Sequence, residues 1–410
     1  MDVAIVGAGL SGLSAGIELT RLGHSVEIYE SSDGPGGRVR TDSIDGKLLD
    51  RGFQVLLTAY PEAQRLLDYE ALDLRSFEPG ALVRHGDNFH RVSDPIRQPN
   101  QLVATARAPI GSFLDKIRTL KYRRQVLKGD VELLWTEQPT TALRRFEKIG
   151  FSSQMIDRFL RPLFAGITLD PQLEGPSDVV DFVFRMLTAG SAAVPARGMG
   201  QISLQLAGQL PDDTIKVNHT VERVSKGELL VNGESAKADA ILVAADITGA
   251  HSLCPEVPDM AWKSTTSVWF AAESAPLLDP VLVLNGGSTD PINSLAVMSR
   301  VSPFYGTGGD ATVVVSSPTI RPDLVNDIQT QLVDWYGKKT KLWEILRVDE
   351  IQQAQPTSSS RSRSGFIHLP DGVWVCGDHT LDSSINGALR SGRLAAQAIA
   401  ASAQSETAKG

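Results

Sequence analysis

Three glycines, Gly7, Gly9 and Gly12, stand at G-x-G-x-x-G spacing near the start of the chain, and a carboxylate, Glu30, follows 18 residues after the last. The chemistry that calls for this arrangement is the gripping of a dinucleotide. Gly7 permits a tight turn, Gly9 lets a pyrophosphate approach the backbone, and Gly12 lets a helix sit close to a strand. The flanking residues supply the elements that must hold them. Val3, Ile5 and Val6 form an apolar run suited to a buried parallel strand, Asp2 to Val6. A helix from about Gly12 to Leu22, with Ser11 beside its first turn, presents free N–H groups and a partial positive charge to phosphates. Gly23 ends it, and a second strand, Ser25 to Tyr29, delivers Glu30 to the ribose of an adenosine. An acid there disfavours a 2′-phosphate, which leaves FAD or NAD.

The next stretch, "ESSDGPGGRVRT", places Gly36, Gly37 and Arg38 close behind the acid. Adjacent glycines let backbone approach a bulky ligand, and an arginine there can meet a pyrophosphate; the alternative is a glycine-rich surface turn. With the later "LLDRGFQV", this run resembles the amine oxidase / phytoene desaturase / protoporphyrinogen oxidase superfamily, whose first motif continues as G-G-R-x-x-T. The resemblance implies an α/β fold of the two-dinucleotide-fold flavoprotein type, with a Rossmann-like FAD-binding domain and an inserted α+β substrate domain. It implies non-covalent FAD, with Gly52, Phe53 and Gln54 beside the isoalloxazine ring. At the other end, "GVWVCGDHTLDSSINGALRSGRLAAQAI" reads as a strand, Val373 to Cys376, a Gly377–Asp378 turn and a helix beginning near Ile385 to Gly387, with Ser384 and Ile385 as candidate cofactor contacts. In the superfamily the corresponding Gly-Asp holds the ribityl chain and phosphate, and the helix N-terminus points at the flavin's pyrimidine edge. The small residues Gly387, Ala388, Gly392, Ala395, Ala396 and Ala400 suit close packing of that helix on a sheet. Two middle segments extend the resemblance: "TVERVS" implies an adenine contact through the backbone of Val221, and "VPARGMG" implies a strand-to-helix junction close to the flavin. Arg197 in that junction is either a charge near the ring or a surface arginine.

Gly306, Gly308 and Ala311 fit G-x-G-x-x-A, but they precede a strand-like run, "ATVVVSS", so a turn is the expected reading. Without a second nucleotide site, oxygen or a quinone is the expected electron acceptor rather than NADPH.

The 410 residues favour two packed domains over one core. The 40 basic and 48 acidic residues give a net charge of −8, which argues against a nucleic-acid partner. Two cysteines, Cys254 and Cys376, exclude a disulfide scaffold, and no spacing suggests a metal. A strand beginning at Asp2 leaves no space for a targeting peptide, and no apolar run reaches the roughly 18 residues of a membrane span, so a cytoplasmic protein is expected. The FAD domain is expected to be discontinuous, at 1–75, 195–255 and 350–402, with a substrate domain at 76–194 and 256–349 and a flexible tail at 403–410. Helical periodicity marks 139–149, 152–165 and 176–190; "STTSVWFAA" and "ATVVVSS" read as strands, followed by a helix from about Pro322 to Tyr336. The Ser/Arg patch Thr357 to Gly365 reads as an exposed loop.

A flavin carries the hard chemistry itself, and the protein supplies orientation, dryness and electrostatics. Amines, isoprenoid polyenes and porphyrinogens all suit it. Amine oxidases of the superfamily carry a lysine on a strand of the second insertion; here "STTSVWFAA" holds none, and Lys263 is expected just before it. The "MIDRFLRPLFAG…VPARGMG" region resembles the desaturase-like branch, which implies dehydrogenation of a hydrophobic, isoprenoid- or carotenoid-like substrate by hydride transfer to flavin. The alternatives are amine oxidation, porphyrinogen oxidation, a flavin-dependent isomerisation and a non-catalytic FAD-binding scaffold. No catalytic acid or base stands out among the scattered histidines. Gln54 and Asn386 are the polar candidates near the ring; His379 and Cys376 are expected to be structural. Residues 113–128, "FLDKIRTLKYRRQVLK", are a basic amphipathic helix that either packs its apolar stripe on its own domain, the simpler expectation, or touches a membrane surface.

Overall fold

The computed structural model describes residues 1–94, 96–135, 139–307, 309–357 and 364–407. The opening strand, Asp2–Val6, lies within a six-stranded sheet in the order Ile215–Lys216, Ser25–Tyr29, Asp2–Val6, Ala240–Val243, Trp374–Cys376, Phe366–His368. Its first five strands are parallel and the last is antiparallel. Apolar side chains such as Ile5, Leu242 and Val375 are buried throughout, as a parallel sheet covered on both faces requires. The first helix, Leu10–Arg21, begins two residues earlier than expected, and Gly23 (φ +84°) follows it in the left-handed conformation.

The C-terminal helix, Ile385–Thr407, continues beyond residue 402, where a tail was expected. Its small residue Gly392 makes its tightest approach to the first helix rather than to a sheet. A Cβ on Gly392 would come within 2.0 Å of the Ser11 carbonyl oxygen, and the Ser14 hydroxyl donates to the Leu389 carbonyl at 2.7 Å. The two ends of the chain are thereby locked side by side.

A seven-stranded sheet runs Glu344–Pro356, Trp262–Ala272, Ala311–Ser317, Ser294–Val297, Leu282–Asn285, Gly80–His85, Asn88–Ser93. Its last two strands form a hairpin that the sequence analysis missed, and its first crosses the boundary expected at residue 350. On one face, Val313, Val315 and Leu295 pack against Leu324, Ile328, Leu332 and Trp335, the apolar stripe of the helix Leu324–Tyr336. On the other face, the alternate residues Leu282, Leu284, Ser294 and Ser316 line a cavity, which follows from the two-residue period of a strand. Helices Ala142–Ile149, Arg161–Thr168 and Ser177–Ala189 occupy the segments where helical periodicity was seen. Gly308, most of the Ser/Arg patch and residues 408–410 lie outside the described residues; Ala311 opens a strand, as the rejected glycine motif required.

Candidate functional site

One continuous cavity of about 1320 Å³ joins the six-stranded sheet to the seven-stranded one. Sites for drug-sized ligands occupy roughly 300–1,000 Å³, so this one has room for a cofactor and a second molecule. Gly7, Gly9, Ser11, Glu30, Gly36, Gly37, Arg38, Gly52, Phe53, Gln54, Gly377, Asp378, Ser384 and Ile385 all line it. Residues more than 300 positions apart in sequence therefore face a single space.

At the nucleotide end, the turn is built as the glycine spacing demands. Gly7 has φ +102°, and a Cβ on Gly12 would lie 2.0 Å from the Gly7 carbonyl oxygen. A Cβ on Gly9 would meet nothing within 4 Å, because its α-carbon looks into the cavity. Gly9 caps the first helix without a side-chain hydrogen bond, so the first-turn amides are not capped by it and point where phosphate oxygens would lie. Glu30 braces the turn: one carboxylate oxygen accepts from the Ala8 N–H at 2.8 Å, and the other from the Ser32 N–H at 2.9 Å and hydroxyl at 2.7 Å. Gly36 (φ +121°) leaves no space for a side chain, since a Cβ would lie 2.6 Å from the Val39 carbonyl oxygen. The residues present fit a dinucleotide.

The two end motifs meet directly. Arg38 Nη2 donates to Asp378 Oδ1 at 2.7 Å and its Nη1 to the Ala354 carbonyl at 3.0 Å, with the guanidinium 5.6 Å from the Trp262 ring centre. Burial disfavours the Arg38 charge, and Asp378 beside it more than restores it, so its pKa is raised. Arg38→Gln is expected to weaken flavin retention on the order of tenfold, by removing one of these charge-assisted contacts; the flavin lost during gel filtration measures it.

At the centre, the Gln54 amide donates to the Arg38 and Arg51 carbonyls, both at 2.8 Å, and the Phe53 N–H donates to Ser267 Oγ at 3.1 Å. Gln54 is thus spent partly on shaping its own loop. Asn386 does not line the cavity; its Oδ1 accepts from the Glu62 N–H at 3.1 Å. Val221 is also absent from the wall, packing half-buried beside Tyr29 and Val231. The Pro195–Met199 junction stands away as well, because the Met199 N–H is drawn to Asp50 Oδ1 at 2.8 Å. Arg197 is a surface residue over the Phe304 ring at 4.3 Å. Cys376 is fully buried, and burial pushes its thiol up to about 12. His379 is buried off the main cavity, where burial lowers its pKa.

Lys263 corrects the expectation made for it. The strand starts at Trp262, two residues earlier than expected, because Lys263 pairs with Gln355 of the neighbouring strand. Lys263 lines the cavity, donates from Nζ to the Thr168 carbonyl at 2.7 Å, and has its pKa lowered by burial. Beyond it the walls are mostly apolar, with charged residues such as Asp94, Lys116 and Arg123 among them. Tyr60 and Phe182 stack at 5.8 Å, and Phe77, Phe159 and Leu187 extend the lining. None of these was singled out in the sequence, since cavity aromatics share the signature of core aromatics.

The cavity reaches the surface at the helix Phe113–Val126, whose orientation reverses the simpler expectation. Its buried residues are Asp115, Tyr122 and Val126, while Phe113, Leu114 and Ile117 are 73%, 57% and 49% exposed. Asp115 is the reason. Its carboxylate accepts from the N–H and hydroxyl of both Ser112 and Ser152, at 2.6 to 2.8 Å. Burial pushes its pKa up, but these four donors outweigh burial and hold it at about 2. A depressed carboxyl stabilises the fold above its unfolded pKa near 3.9 and loses that contribution as pH falls toward 2, here about 2 kcal/mol. Asp115→Asn is expected to abolish this acid-labile component, seen as a flatter dependence of the urea midpoint on pH between those values.

The comparisons with known proteins agree with this geometry. A model of the family described as flavin containing amine oxidoreductase matches residues 10–400. A hydroxysqualene dehydroxylase of Rhodopseudomonas palustris is 26% identical, over 97% of this chain and 98% of its own length. A probable zeta-carotene desaturase of Synechococcus elongatus is 26% identical over 69% of this chain and 64% of its own length. A solved oxidoreductase from Methanosarcina mazei shares the fold, with a TM-score of 0.74 at 16% identity, covering 97% of this chain and 99% of that one. Among the described residues no group could hold a metal ion, and no helix is long and apolar enough to cross a membrane. The chain belongs to the flavin-containing amine oxidoreductase family and is an FAD-dependent oxidoreductase.

Proposed function

We propose that this enzyme exchanges a hydride equivalent between FAD and a long, hydrophobic, isoprenoid-like substrate held in the apolar arm of the cavity. The observation that carries the reading is the cavity itself, whose volume of about 1320 Å³ exceeds what one ligand needs and whose far walls are mostly aromatic and aliphatic. Both curated relatives named above support it, since hydroxysqualene and zeta-carotene are extended isoprenoid chains. Bound FAD supplies a hydride acceptor in its oxidised form and a hydride donor in its reduced form. In this reading Gly7, Gly9, Ser11 and Gly12 form the pyrophosphate turn and Glu30 meets the adenosine ribose. Gly36, Gly37, Arg38, Gly377 and Asp378 enclose the phosphates and ribityl chain. Gly52, Phe53 and Gln54 border the ring opposite Ser384 and Ile385. There the dipole of the C-terminal helix favours negative charge on the cofactor. The aromatic walls exclude water and set an extended chain against the reactive carbon.

Dehydrogenation removes hydride from an allylic carbon, releases a proton to solvent and leaves a new double bond, with oxygen or a quinone taking the electrons afterwards. The match to the dehydroxylase along its whole length favours a second direction, in which a hydride equivalent and a proton, both carried by the reduced cofactor, replace an allylic hydroxyl that leaves as water, with an external two-electron donor reducing the cofactor again. An anaerobic titration separates these. Bleaching of the flavin band by a phytoene- or squalene-type hydrocarbon supports dehydrogenation. Re-oxidation of the chemically reduced protein by an allylic isoprenoid alcohol supports dehydroxylation. A response only to an amine or a porphyrinogen overturns the proposal.

A further inference from the structure

We infer that the helix Phe113–Val126, with the shorter helix Leu102–Arg107 before it, docks on an anionic lipid surface and opens the cavity to it. Phe113, Leu114 and Ile117 are exposed, as are Leu102 and Val103 at 52% and 58% on the preceding helix. Apolar side chains this size rarely cluster in solvent without a partner. The occupant is indicated by charge. Between residues 96 and 128 the chain carries eight lysines and arginines against one acidic residue, Asp115, although its overall charge is −8. Asp115 is buried on the inner side of the helix, whereas Lys121, Arg124 and Lys128 lie on the solvent side with the exposed apolar residues. Exposed apolar side chains beside exposed cations supply the two attractions, apolar burial and charge, that hold a protein on an anionic lipid surface.

A second observation links this face to the site. Phe113, Ile117, Leu120 and Leu102 belong both to the exposed face and to the wall of the cavity, so a chain leaving the lipid would enter without crossing water. Three contacts hold the helix in this orientation. The Lys116 ammonium donates to the Ala106 carbonyl at 2.6 Å, Arg123 pairs with Asp94, and the Asp115 hub fixes the N-terminus. The entry route rests on the proposed isoprenoid substrate; the docking surface does not.

Co-sedimentation of the flavin-loaded protein with lipid vesicles tests the inference without any turnover. Wild-type protein is expected to sediment with phosphatidylcholine vesicles containing phosphatidylglycerol, and to be released progressively by salt. Lys121→Glu with Arg124→Glu should weaken that binding at least on the order of tenfold, and Leu114→Asp should weaken it with the flavin absorbance retained. No binding by wild type, or equal binding by both variants, overturns the inference. So does a wild-type dimer that the variants split, because the face would then meet a second copy of the chain. Vesicle binding with no turnover of any isoprenoid would fault the substrate reading and leave the docking surface standing.

Discussion

Gly9→Val is expected to yield a folded, colourless protein. The Gly9 backbone is extended, at φ −70° and ψ 178°, a conformation open to any residue, and a Cβ there touches nothing within 4 Å. The fold therefore tolerates the valine, while its methyl groups occupy the space where a pyrophosphate must approach the helix amides. Lost contact with several backbone donors at about 1.5–3 kcal/mol each implies an affinity loss of 100-fold or more. The neighbouring Gly12→Ala tests the opposite case. Its new methyl would sit 2.0 Å from the Gly7 carbonyl oxygen, forcing helix and strand apart and lowering stability by about 1–3 kcal/mol before any ligand is considered. The ratio of flavin absorbance to protein, together with thermal denaturation, separates the two. A Gly9→Val protein that purifies with wild-type flavin would contradict the proposed pyrophosphate turn.

Asp50→Ala is expected to cause the largest loss of stability. Asp50 is enclosed, and its carboxylate accepts from the Thr41 hydroxyl at 2.5 Å, the Tyr305 hydroxyl at 2.5 Å and the Met199 N–H at 2.8 Å. These donors come from three separate parts of the chain, and Tyr305 and Met199 are fully buried while Thr41 is half-buried. Leaving two buried donors unpaired costs about 1–3 kcal/mol each, against a typical total stability of about 5–15 kcal/mol. Asp50→Asn should be milder, since the amide oxygen still accepts and the Tyr305 hydroxyl can turn to receive its N–H. Burial raises the Asp50 pKa against the pull of the Thr41 and Tyr305 hydroxyls. Its contribution is therefore greatest below the unfolded carboxyl range and declines as pH rises through its folded value, a dependence the asparagine variant should lack. Urea midpoints for the three proteins across acidic pH give the measurement; equal midpoints would show that the hub carries no weight.

The glycine turn was legible in sequence because its constraints are local. Gly7 and Gly12 are forced by backbone geometry within one strand and one helix, and Glu30 by the length of the unit between them. The convergence of Arg38 and Asp378 was legible only through resemblance, since nothing in 340 positions of separation dictates a 2.7 Å contact. The cavity was not legible. Phe77, Phe182 and Leu187 have the spacing of core residues, and only the assembled helices and sheet decide that they line a space. Helix 113–126 misled for a related reason. Periodicity places the apolar stripe inward, yet four donors on Asp115 and the stacking of Tyr122 on Phe184 at 4.5 Å turn the side carrying Asp115, Tyr122 and Val126 in and leave Phe113, Leu114 and Ile117 outside. Lys263 was set outside its strand because pairing with a distant edge fixes where a strand begins.

The most direct measurement is a crystal structure of the flavin-loaded protein. The expected density places the pyrophosphate against Gly9 and the first turn of the Leu10–Arg21 helix. It places the isoalloxazine ring between the Gly52–Gln54 loop and the start of the Ile385–Thr407 helix, with the apolar arm still open beyond it. A flavin bound elsewhere, or one that fills the apolar arm, would contradict the account.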